Sequence, residues 1–123
     1  MISFRQKQVL LQDMMPTAMD YLTEQNIPFN RIKKEDADRV SSVNSRSMVI
    51  TSFVKTDRGN YEIKIQDKKL YRYTEKLLKD IFRLDIKDID EKNRIFTAEC
   101  NYEGIILDII DILGRKYNLS LVC

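Results

Sequence analysis

Histidine and tryptophan are both absent from the 123-residue chain. Histidine is the commonest general base, the commonest metal ligand and the usual partner of a serine or cysteine nucleophile. Its absence excludes triad and zinc chemistry, and it leaves only carboxylate, lysine-based or magnesium-assisted reactions open. No glycine-rich phosphate loop is present either. We therefore expect a protein that is not an enzyme and that has no catalytic residue, cofactor or metal.

Cysteine, glycine and proline are scarce. The two cysteines, Cys100 and Cys123, fit reduced thiols in the cytosol better than a disulfide scaffold. Three glycines and two prolines predict regular elements joined by short loops. No apolar run is long enough to cross a bilayer, and residues 1–16 lack the apolar region and cleavage site of a secretory signal. We expect a cytoplasmic protein without a membrane segment.

The overall composition is balanced. Hydrophobic residues make up 43% and charged residues 33%, which is typical of a soluble globular protein. The 21 basic residues nearly cancel the 19 acidic ones, so the charge of the whole chain does not favour binding to nucleic acid. The length predicts a single domain over residues 1–123.

Hydrophobic periodicity predicts the order of the elements. We expect a helix over 3–26, an extended segment over 27–33, a polar loop over about 34–47, a hairpin over 48–66, a helix over 69–84, a second hairpin over 84–100, a helix over 102–114 and a closing strand over 117–123. This order predicts an α+β fold, a small two-layer domain. Its mostly antiparallel sheet has two hairpins plus short strands and is packed by three helical segments.

Several single residues refine the expected boundaries. Pro16 interrupts the first helical pattern, so the helix is either kinked or divided, and Asp13 could cap its second part. Gly59 provides the turn of the first hairpin. Asn101 is the expected cap of the last helix, and Gly114 its expected end.

A basic segment lies at 67–83, where six cations face three acids. Arg72, Lys76, Lys79 and Arg83 are spaced by four, three and four residues, which on a helix places them in one ridge. The same helix has its apolar positions at Leu70, Tyr73, Leu77, Leu78, Ile81 and Phe82. Residues predicted to contact nucleic acid or an acidic partner are Lys68, Lys69, Tyr71, Arg72, Lys76, Lys79 and Arg83.

A plainer interpretation of this segment stays open. Glu75 and Lys79, like Lys76 and Asp80, have the spacing of ion pairs along a helix, and each such pair is worth only about 0.2–0.5 kcal/mol. The ridge would then be an ordinary solvated face.

The last predicted helix is apolar on more than one side. In "YEGIILDIIDILG" only Asp108 and Asp111 are clearly polar within the helical stretch after Gly104. Either this helix is central to the domain, or its spare face binds a partner through Leu107 and Ile112.

Two classes of function follow. We favour a small non-catalytic binding module that acts through a protein partner: an inhibitor, adaptor, immunity or anti-defence protein, such as a phage or mobile element encodes. The alternative is a nucleic-acid-binding regulator that uses the ridge at 72–83. A homo-oligomer is also open, since the strands "MVITSFV" and "YNLSLVC" would pair with a second copy if they formed uncovered edges.

Overall fold

The computed structural model of the protein describes residues 11–43, 46–67 and 71–123. The strands are β1 (Leu11–Asp13), β2 (Asn30–Ile32), β3 (Ser47–Thr56), β4 (Tyr61–Gln66), β5 (Asp85–Asp90), β6 (Ile95–Cys100) and β7 (Asn118–Val122). The helices are α1 (Met15–Glu24), α2 (Ala37–Ser42), α3 (Tyr71–Lys76) and α4 (Glu103–Lys116). A 3-10 turn (Lys34–Asp36) precedes α2, and a π-helical turn (Leu77–Ile81) continues α3.

The strands form one open sheet in the order β2-β7-β3-β4-β6-β5, and β1 pairs with β3 beside that path. β7 runs parallel to both β2 and β3, whereas the other pairings are antiparallel. The described chain is therefore α+β with a mostly antiparallel sheet, which confirms the predicted fold class at that level.

The alternation in β4 decides which face of the sheet holds the core. Ile63 lies opposite Phe53 of β3, and Ile65 lies opposite Ile50. All four side chains are fully buried. Burying a side chain of this kind contributes about 1.5–3 kcal/mol.

α4 lies over this buried face. It contacts α1, β4, β6 and β7. Its inward side is fully buried at Ile106, Ile109, Ile110 and Leu113.

The opposite face of the sheet is partly covered by α2. Ala37 and Ser41 of this helix are buried, and the Gln66 side-chain amide of β4 donates a hydrogen bond to Asp38. This segment was predicted as a polar loop over 34–47, and the sheet was predicted to have helices on one side. α2 has only six residues, which provide too few apolar positions to give a helical period. A helix this short depends on tertiary packing for its stability.

The first predicted helix begins later than expected. The helix predicted over 3–26 is wrong at Leu11–Asp13, which is strand β1, and residues 1–10 lie outside the described chain. Pro16 does stand in the first turn of α1. Met14, not Asp13, is the N-cap residue, although the Asp13 carboxylate accepts a hydrogen bond from the Met15 N–H at 2.9 Å.

The boundaries of α4 also differ from the prediction. Tyr102, not Asn101, is its N-cap residue, and the helix continues two residues past Gly114 to Lys116. Gly114 serves packing instead of termination. A β-carbon there would lie 2.7 Å from Ile27 Cγ2.

The π-helical turn changes the exposure of the third helical segment. The Phe82 N–H donates to the Leu77 carbonyl at 3.2 Å, an i+5 to i bond. Leu77 and Leu78 are buried as predicted. Ile81, however, is 64% exposed, because the wider turn points later residues in directions that a regular helix does not give them.

The strands that were considered for self-association are both covered. β7 lies between β2 and β3, and β3 has β4 on its other side. Within the described part of the chain, β5 at the far end of the path has β6 as its only neighbour. β5 has a register shift between Ile86 and Asp88.

Among the described residues, no helix has the length and apolar character needed to cross a membrane.

Candidate binding surfaces

The predicted basic ridge is exposed but is not one continuous row. Arg72, Lys76, Lys79 and Arg83 all face solvent. Arg83 follows the π-helical turn with a left-handed φ of +53°, so it does not extend the row along α3. Lys79 is 2.9 Å from Glu75 in an ion pair. The single helical ridge over 72–83 is therefore wrong in its geometry.

Three residues of the predicted contact set cannot be placed. Lys68 and Lys69 lie outside the described residues, and so does the side chain of Tyr71.

Tyr73 is the aromatic residue that the structure places at this surface. It was expected to pack inward, but 38% of it is exposed. The Lys116 ammonium of α4 donates a hydrogen bond to its hydroxyl at 3.0 Å and lies 5.5 Å from its ring centroid. The Tyr117 ring contacts it edge-on, with centroids 6.4 Å apart. Tyr73 is thus held in position although its ring reaches solvent.

The contact changes the titration of both partners of Tyr73. The hydrogen bond from Lys116 to Tyr73 raises the pKa of the lysine above its usual value. Burial raises the pKa of Tyr117, and the neighbouring Tyr73 raises it further. At neutral pH the surface therefore combines the charged ammonium of Lys116 with the neutral phenol of Tyr117.

A buried carboxylate lies close to these rings. Asp67 is fully buried and accepts a hydrogen bond from the Thr74 hydroxyl of α3. Its backbone N–H donates to the Arg94 carbonyl at 3.0 Å, which joins the end of β4 to the β5–β6 turn. Its charge also raises the pKa of Tyr117. Asp67 and Thr74 thus tie α3 to the end of the sheet.

Arg46 connects the start of β3 to the end of α4. Its Nη1 donates to the Lys116 carbonyl at 2.9 Å, and its own carbonyl accepts from the Asn118 N–H at 2.7 Å. We call the surface formed by Arg46, Arg72, Tyr73, Lys76, Lys116 and Tyr117 the Tyr73 junction.

Sequence reasoning did not find four of the six members of the junction: Arg46, Tyr73, Lys116 and Tyr117. In the sequence, Lys116 needs no tertiary contact to account for it, because the helix dipole favours cations at a helix C-terminus. Arg46 stood in the polar stretch at 34–47. No signal within either stretch connects them, since Tyr73 and Arg46 are 43 and 70 residues from Lys116.

A groove of about 470 Å³ opens beside the junction. Its lining residues are Asn26, Ile27, Pro28, Arg46, Gly114, Arg115, Lys116, Tyr117 and Asn118. Three of these described residues are basic, and no acidic residue is among them. Arg115 is held by Asp111 at 2.6 Å, and Asp111 also accepts a hydrogen bond from Tyr21 at 2.9 Å.

The proposed apolar partner face of α4 is divided. Leu107 and Ile112 are both half-buried, and Leu107 packs against the core. At 100° per residue, these two positions lie about 140° apart around the helix. Exposed Asp108 lies between them on the solvent side. They flank the solvent side of a helix that packs into the domain and do not form one patch.

Asp90 of β5 has a structural role. Asp90 accepts hydrogen bonds from the backbone and side chain of Asn93 at 3.1 and 2.8 Å, which closes the β5–β6 turn. These bonds lower the pKa of Asp90. In the described ranges, no three cysteine, aspartate or glutamate side chains come together as a metal-binding group.

Comparison with known proteins adds no family. No protein-family model matches the chain, and neither the curated proteins nor the solved structures contain a match.

Proposed function

We propose that the protein is a small, non-catalytic, cytoplasmic binding module that acts through a protein partner, as an inhibitor, adaptor, immunity or anti-defence protein would. The partner docks on the Tyr73 junction. The observation that supports this proposal is the state of Tyr73, which is exposed and yet held by Lys116 and Tyr117.

An aromatic residue in this state suits protein recognition. Tyrosine and arginine are enriched among the residues that dominate binding energy at interfaces. A ring whose position is already set loses little conformational freedom on binding, so more of the contact energy appears as affinity. Tyr73 is therefore the expected centre of the interface.

The cations of the junction indicate the character of the partner surface. Lys116 contacts the Tyr73 ring, and Arg46 bonds the Lys116 carbonyl. Arg72 and Lys76 are exposed on α3, the helix that carries Tyr73. An acidic patch on the partner would complement them, and such complementarity increases the association rate and the specificity more than the affinity.

Site-specific photo-cross-linking in the native host tests this function. We would place a photoreactive phenylalanine analogue at position 73 and, as a control, at Tyr102, which is 62% exposed at the other end of α4. The two ends of this helix are about 21 Å apart. We expect position 73 to give a discrete cross-linked protein. Its yield should fall when Lys116→Met is introduced, and position 102 should not give this product. Equal products at both positions, or none at 73, would refute the proposal.

A nucleic-acid-binding regulator is the second candidate, because Arg72, Lys76, Lys79 and Arg83 are all exposed. It predicts binding of labelled DNA or RNA at low salt. The negative slope of log K against log salt should become flatter by roughly 3 when all four residues are replaced by alanine. Lys33 and Lys34, also exposed, serve as the control alanine pair. Absence of binding at low salt, or an unchanged slope, would eliminate this candidate.

A further inference from the structure

We propose that the groove between residues 26–28 and the last turn of α4 binds the phosphate group of a small molecule. This inference goes beyond the proposed function and does not depend on it.

Charge is the first argument. Arg46, Arg115 and Lys116 all line the groove, although they reach it from the start of β3 and from the end of α4. Asp111 offsets part of this charge, since it bonds Arg115, but it does not line the groove. The lining itself therefore contains three basic residues and no acidic residue.

The helix end does not oppose an anion here as strongly as its dipole would suggest. The C-terminus of a helix carries partial negative charge on its unpaired carbonyls. Arg46 donates to one of them, that of Lys116, at 2.9 Å, and the Tyr117 N–H donates to the Leu113 carbonyl at 2.9 Å. The bond from Arg46 places a guanidinium over the negative end and so makes the groove more suitable for an anion, whereas the Tyr117 bond is the last regular bond of the helix.

The shape and the neutral donors fit a small ligand. A volume of about 470 Å³ is within the range of ligand sites in proteins. Asn26 and Asn118 contribute side-chain amides, which donate hydrogen bonds. The floor includes Gly114, where the backbone approaches Ile27 too closely for a β-carbon.

A phosphate matches this lining better than a carboxylate does. A phosphate monoester carries about −1.5 to −2 charges at neutral pH and has three strong acceptor oxygens. Arginine and lysine both bind phosphate, arginine as a bidentate fork and lysine as a point charge. Two arginines and one lysine in one groove supply both kinds of contact.

The test is a titration of the ¹⁵N-labelled protein with inorganic phosphate, followed by amide chemical shifts at constant ionic strength maintained with chloride. Saturable shifts are expected at residues 114–118, Arg46 and Asn26. Lys116→Met should weaken the affinity by about tenfold or more, since a charged hydrogen bond is lost. Lys33→Met, which removes an exposed cation after β2, should leave the affinity unchanged.

Arg115→Met provides a second variant if Lys116→Met perturbs the fold, and it should weaken phosphate binding in the same direction. Shifts that rise linearly with phosphate, that persist in both variants, or that acetate reproduces at the same concentration would overturn the proposal.

Two further probes distinguish the source of the phosphate. A nucleoside monophosphate should shift the same groove residues as inorganic phosphate does. A short oligonucleotide that alone causes shifts, and causes them also at Arg72 and Lys76, would overturn the small-molecule assignment.

Discussion

At the scale of single residues, Thr74 has the clearest energetic role. Its hydroxyl donates to the carboxylate of Asp67, which is fully buried. Thr74→Val keeps the shape and removes the bond, which should lower the free energy of unfolding by about 1–3 kcal/mol. Urea denaturation measures this change.

The matched control for this substitution is Thr23→Val. The Thr23 hydroxyl also donates a hydrogen bond, to the Met19 carbonyl at 2.9 Å, but Thr23 is exposed. Its loss should cost less than about 0.5 kcal/mol, as is usual at surface positions. Equal losses in the two variants would show that burial of Asp67 does not control the effect.

Asp111 predicts a dependence of stability on pH. The hydrogen bond from Arg115, and a further one from Tyr21, hold the pKa of Asp111 below its ordinary value of 3.8. Its stabilisation is therefore complete above the unfolded-state pKa and is lost as pH falls through the folded-state pKa. Asp111→Asn should lower the free energy of unfolding by about 1 kcal/mol at pH 7.

Measurement of this effect compares the two proteins by urea denaturation from pH 7 to pH 2. The difference between them should shrink below about pH 4 and should disappear at the acid end. Asp108→Asn, on the exposed side of the same helix, is the control and should show little difference at any pH. A gap for Asp111→Asn that stays constant with pH would contradict the assignment.

At the scale of the element, α4 offers the same substitution at two glycines with opposite expected signs. At Gly104 a new β-carbon would meet the ring of exposed Tyr102, which can move, so the gain in helix propensity should stabilise by up to about 1 kcal/mol. At Gly114 the neighbour is Cγ2 of Ile27, which is buried and cannot move away. The added β-carbon should therefore overpack the core and destabilise the protein by about 1–3 kcal/mol.

Thermal unfolding of Gly104→Ala and Gly114→Ala checks this pair. Gly114→Ala combined with Ile27→Ala, which removes the obstructing methyl group, should cost less than the sum of the two single changes. Additive losses, or the same sign for both glycines, would be inconsistent with the packing described.

The elements differ in how far the sequence predicts them. The alternation of Ile63 and Ile65 with polar residues predicted a strand with one buried face, as β4 has. The wide apolar surface of α4 fits its position over the sheet. The π-helical turn could not be predicted, because helical spacing assumes a constant 3.6 residues per turn. That assumption is what misplaced Ile81 and Arg83.

The candidate site was less predictable than the fold. The exposure of Arg72 and Lys76 follows from local spacing. The pairing of Tyr73 with Lys116, and of Arg46 with the end of α4, arises only when β3, β7 and α3 meet at one end of the sheet. Contacts of this kind have no local signature in one sequence.

At the scale of the whole molecule, we expect self-association to be controlled by the side of β5 that has no neighbour among the described strands. Asp85 and Asp88 are exposed on this strand, and the register shift interrupts its regularity. Charges and bulges at an edge strand oppose pairing with a second copy. The protein is expected to be monomeric, and the double substitution Asp85→Thr and Asp88→Thr should produce concentration-dependent association.

Size-exclusion chromatography with light scattering measures this outcome. A control with the same change in net charge replaces exposed Asp20 and Asp108 by threonine, away from the edge. Association in the control, or a dimeric parent protein, would show that β5 does not govern the oligomeric state.

The position of β7 also determines when the sheet can be completed during synthesis. β7 separates β2 from β3, yet the ribosome makes it long after both. Until residues 118–122 have left the exit tunnel, β2 lacks this neighbour and the first half of β3 has one bare edge. The parallel ladders therefore close only after β7 has been made, and until then the nascent chain exposes unpaired strand edges of the kind that favour aggregation and chaperone binding.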